Sequence, residues 1–101
     1  MNLISQKDPA VRDLIDHFMS LFGPGSFTLR DYWDGDACAI GFESLNQRQL
    51  IYVNSFNRRP FHYYVDLEDV SNSHSYSVIQ NIENASIAQV EELMRRYIIE
   101  H

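Results

Sequence analysis

In the stretch Phe61 to Asp69, FHYYVDLED, two chemically different sets of residues alternate. Phe61, Tyr63, Val65 and Leu67 form an apolar set, while His62, Tyr64, Asp66 and Glu68 form a set that could bind protons, metals or charged partners. Alternate residues of a strand point to opposite faces, so the second set looks out together from one side of a sheet. A histidine beside carboxylates suggests general acid–base chemistry. The spacing argues against it, because a rise of about 3.3 Å per residue puts His62 and Asp66 about 13 Å apart along the strand. That is too far for a direct hydrogen bond, and no catalytic residue is expected.

The other chemistry-bearing residues give equally little. The four histidines, His17, His62, His74 and His101, follow no HxH, HExxH or Cys/His ligand spacing, so no metal site is expected. DGDA at Asp34 to Ala37 lacks the remaining ligands of a calcium loop and reads as a hairpin turn. GPGS at Gly23 to Ser26 follows a helix instead of opening one, and lacks the lysine of a phosphate loop. Cys38, the single cysteine, lies in the apolar run ACAIGF and reads as an inert thiol. No cofactor motif is present.

The elements that would position these residues follow from periodicity. DPAVRDLIDHFMSLFG is a helix: Asp8 is placed as N-cap and Pro9 as its first residue. Val11, Leu14, Ile15, Phe18, Met19 and Phe22 share one face, and Gly23–Pro24 stops it. SFTLRDYW, ACAIGFES, QLIYVNSF, FHYYVDLED and YSVIQNI then read as four or five strands. The third is apolar on both sides at Leu50 to Val53 and is therefore expected to be central. SIAQVEELMRRYIIEH is a second helix with a Ser86/Gln89 capping box and an apolar face of Ile87, Val90, Leu93, Met94, Tyr97 and Ile98. Short connections predict an antiparallel meander, and one apolar face per helix places both helices on the same side of the sheet. The expectation is a single α+β domain over residues 1–101, with Phe61, Tyr63, Val65 and Leu67 facing Phe18 and Met94.

Composition sets the outer bounds. The chain has 101 residues, 45% hydrophobic and 22% charged, which suits one folded domain and excludes disorder. A net charge of −6 argues against nucleic-acid and anionic-membrane ligands, which need clustered Lys and Arg. It favours a basic partner. No apolar run reaches the ~18 residues of a membrane span. MNLISQKDPAVRD does not read as a signal peptide, and with one cysteine a reducing, cytoplasmic setting is expected.

The outward face thus carries His62, Tyr64, Asp66 and Glu68 beside a strip of small residues, Ala37, Ala39 and Gly41. In RDYWDGD and YYVDLED, carboxylates stand among aromatic residues. In this format, a small acidic α+β domain with such stretches, the chain resembles bacterial toxin-immunity proteins. The resemblance implies a non-enzymatic inhibitor whose carboxylates occupy the basic cleft of a cognate toxin, such as a nuclease, in place of phosphates. The expected contact residues are Tyr32, Trp33, Asp34, Asp36, Tyr64, Asp66, Glu68 and Asp69, with Tyr63 a further aromatic anchor. Two other readings stand beside it: a small-ligand or enzymatic domain using a groove near Ala39 and Gly41, and a subunit that forms a homo-oligomer through an edge strand or the open face.

Overall fold

A computed structural model describes residues 6–31, 35–72 and 75–100. The chain folds as α1 (Pro9–Phe22), β1 (Thr28–Arg30), β2 (Ala39–Glu43), β3 (Gln49–Asn54), β4 (His62–Asp69), β5 (Ser77–Ser86) and α2 (Ile87–Leu93), the last continuing as a π-helical turn, Met94–Ile99. The five strands lie in sequence order, and every pairing is antiparallel, so the sheet is a meander with β3 at its centre. This is the expected α+β architecture.

One core joins both helices to one face of the sheet. Val11, Leu14, Ile15 and Phe18 of α1 and Val90, Leu93, Met94 and Ile98 of the C-terminal helix cluster with Ile40, Phe42, Ile51, Val53, Tyr63, Val65 and Leu67. Phe18 meets Phe42 edge-on, with ring centroids 5.3 Å apart. The helix ends follow the sequence signals in part. Gly23 takes φ 90° and closes α1 with its N–H on the Met19 carbonyl. Ser86 and Gln89 form the expected capping box on α2. Asp8 holds the N-cap position of α1 but does not cap with its side chain; its carboxylate instead accepts a hydrogen bond from Ser55 Oγ at 3.1 Å, tying the helix to the end of β3.

Five expectations are corrected. Phe61 is not in the core: it is 65% exposed, with φ 64°. Pro60 and Phe61 occupy the middle of a turn closed by the His62 N–H on the Arg59 carbonyl, and a positive φ at the third turn position swings the ring away from the sheet. Tyr63 is no surface anchor, because it is fully buried and its hydroxyl donates to the Ala10 carbonyl at 2.7 Å. β5 is longer than YSVIQNI and runs into α2 without a loop. Its pairing with β4 is irregular: Glu68 lies opposite Val78 while Leu67 lies opposite Gln80, so Ile79 is an extra residue. Finally, β1 spans three residues, and β3 ends before Phe56.

Candidate functional site

With the helices on one side, the sheet's other face carries rows set by register. Arg30, Gly41, Tyr52, Asp66 and Asn81 form one row, and Thr28, Glu43, Leu50, Glu68 and Val78 the next. Gly41 leaves a gap in its row. Arg30 reaches diagonally past it, its guanidinium 2.9–3.0 Å from the Glu43 carboxylate. Ala39, Gly41, Glu43 and Leu50 are buried, so of the small-residue strip Ala37 alone is exposed.

Glu68, expected to be an exposed contact, is 8% exposed. It stands between Leu50 and Val78, and burial, then the nearby Asp66 carboxylate, push its pKa up. It is therefore corrected from a rim charge to a buried carboxyl. Asp69 accepts hydrogen bonds from the Ser71 hydroxyl (2.6 Å) and backbone N–H (2.9 Å), which hold its pKa below the ordinary carboxylate value. Its carboxylate is thereby committed to a local turn. Tyr32, Trp33 and Asp34 lie outside the described residues.

Asp36, Tyr64 and Asp66 are linked across the face by hydrogen bonds through Asn54 and Asn81 and by one ring contact between them. Asn54 donates to Asp36 Oδ2 at 3.3 Å and to the Tyr52 hydroxyl at 2.9 Å. The Tyr52 ring meets the Tyr64 ring edge-on, centroids 6.3 Å apart. Asn81 then donates to both the Tyr64 hydroxyl and Asp66 Oδ1, each at 2.7 Å. Burial first, and Asp66 next, raise the Tyr64 pKa, so its hydroxyl stays protonated over the physiological range. The Arg58 guanidinium lies 5.7 Å from the Tyr64 ring centre, within the range of a cation–π contact.

Asp36, Tyr52, Asn54, Phe56, Arg58 and Tyr64 line an open recess of about 400 Å³ at the β3–β4 end of this face. Phe56, 71% exposed, is one wall, and Phe61 stands exposed on the same β3–β4 connection. Sequence reasoning missed both. The sequence reading puts Phe56 in the third strand and Phe61 in the core. The signal for Phe61 was Pro60, which favours the second position of a turn and leaves the next residue at positive φ.

Lys7 was also unforeseen. It is buried, 2.9 Å from Asp31 Oδ1, and donates to the Asp36 carbonyl at 2.9 Å. Asp31 is thus neutralised, and the backbone at Asp36 is fixed beside the recess. Among the described residues, no group of three or more His, Cys, Asp or Glu stands close enough to hold a metal ion, and no helix is long and apolar enough to cross a membrane.

No protein-family model, curated protein or solved structure matches this chain.

Proposed function

We propose that the chain is a non-enzymatic protein-binding domain whose contact surface is the uncovered sheet face at its β3–β4 end. One observation carries this reading: Phe56, 71% exposed, walls a recess in which Asp36 and Tyr52 are held by Asn54, and Tyr64 by Asn81; Phe61, on the same β3–β4 connection, is exposed as well. Exposed aromatic rings beside prearranged polar groups are the composition of an interface centre, and prior ordering lowers the entropy cost of binding. Asp36 and Asp66, with the net charge of −6, favour a basic partner. In its finer form, the proposal is a cytoplasmic immunity or inhibitor protein whose acidic face fills the basic cleft of a toxin, a nuclease being one such target.

Capture from lysate of the source cells tests it, using the full chain as bait beside Phe56→Ser, Asp66→Lys and Asp16→Lys. The wild type and Asp16→Lys, whose change lies on the exposed side of α1, retain the same basic protein, and the other two lose it. If the captured protein cleaves nucleic acid or another substrate, adding the wild-type chain stops cleavage. Capture that ignores both face substitutions contradicts the proposal.

A further inference from the structure

The long outer strand β5 combines features that suit a different partner from the one above. It forms one edge of the sheet, whereas β1 at the opposite edge has three residues. Residues Ser77 to Asn81 are exposed, Val78 being 50% and Ile79 51% accessible, and Tyr76 just before them is exposed as well. An outer strand leaves one row of backbone N–H and C=O groups without a neighbouring strand, and proteins commonly blunt such edges with Lys or Pro. Ser77 to Ser86 contains neither, and no Arg; Glu83 is its only charged residue. The pairing with β4 is irregular near Ile79 and again between Ile82 and Ala85, but Gln80 to Ile82 forms a regular ladder between those points.

The surface flanking β5 is complementary to itself. Gln80 and Ile82 of β5 and Gln89, Glu92, Leu93 and Arg96 of the C-terminal helix line a shallow groove. Glu92 and Arg96 have side chains 63% and 66% accessible and stand 3.6 Å apart. In a two-fold contact residue i of one copy meets residue j of its mate and the reverse, so a groove that holds one acid and one base can set Glu92 of each copy against Arg96 of the other. A basic partner, conversely, finds only Glu83 along β5.

We infer that β5 pairs antiparallel with β5 of a second copy of this chain, joining the two sheets edge to edge about a two-fold axis. The pairing leaves the face at the β3–β4 end uncovered, so it does not depend on the binding role assigned there.

Sedimentation equilibrium of the full chain from micromolar to millimolar concentration is the test. The wild type and Asp16→Lys, changed on the exposed side of α1, move from one chain mass to two as concentration rises. Ile79→Lys places a charge on the edge at a residue outside the core; it stays at one chain mass and keeps the wild-type melting temperature. Glu92→Arg, on the exposed side of α2, raises the dimer Kd about tenfold by setting like charges together in the groove, and it decides the matter if Ile79→Lys fails to fold. A single chain mass for the wild type throughout, or a dimer indifferent to both edge substitutions, overturns the inference.

Discussion

Single residues carry two separable costs. Phe61 holds φ 64°, a region that disfavours a bulky side chain, while its ring is exposed. Glycine takes this conformation without steric conflict. Phe61→Gly is therefore expected to raise unfolding free energy by about 1 kcal/mol in urea melts, and to weaken capture of the partner. A strained aromatic kept at a surface where a smaller residue would be more stable is what a binding role predicts. If Phe61→Gly is instead less stable than wild type, the ring supports the fold and not a contact. Glu68 carries the second cost. Because burial raises its folded pKa, the protonated form favours folding: that contribution is full below the ordinary glutamate value of 4.5 and is lost as pH rises through the raised folded value. Glu68→Gln, which has no charge to bury, should melt above wild type at pH 7, with the difference shrinking as pH falls toward 4.5. A gap that stays constant with pH, measured by thermal melts, would place the effect elsewhere.

At the scale of elements, local signals in the chain predicted what local physics decides. The apolar spacing from Val11 to Phe22 made a helix with its face buried, and Ser86 with Gln89 marked the start of the second. The alternation Tyr63, Val65, Leu67 placed the inner face of β4 correctly. Apart from Phe61, whose turn is local, sequence reading failed where the outcome depended on residues distant in the chain. Glu68 is buried because Leu50 and Val78 stand beside it, and the latter position depends on an irregular register that no local pattern announces. The Asn81 contact with Tyr64 and Asp66 depends on the same register. Lys7 reaches Asp31 across twenty-four positions, a pairing that only the folded topology supplies. Tyr63 shows how such long-range contacts lock elements together. Its hydroxyl joins β4 to the first turn of α1, and burial, followed by Asp13 and Asp8, pushes its pKa from 10.0 up to about 12. A phenol raised in this way stabilises the fold fully below pH 10 and loses that contribution between pH 10 and about 12. Tyr63→Phe leaves the Ala10 carbonyl without this donor and should cost about 1–2 kcal/mol at neutral pH. It should also flatten the alkaline fall in stability, which circular-dichroism melts over that range would follow.

For the whole molecule, one architectural choice divides the labour. Both helices cover one side of the meander, so the main core lies there, and the other side carries tyrosines, carboxylates and the exposed Phe56. On the proposed function, this second side binds a basic protein, with acids governing encounter and aromatic groups governing residence. Surface plasmon resonance with the captured partner immobilised tests it most directly, at low and high salt. Asp66→Lys should slow association by about tenfold at low salt and reduce the salt dependence. Phe56→Ser should raise the dissociation rate about tenfold or more while leaving association nearly unchanged. If neither substitution alters either rate, while Asp16→Lys on the helical side does, the binding surface lies on the opposite side of the molecule and the account is wrong.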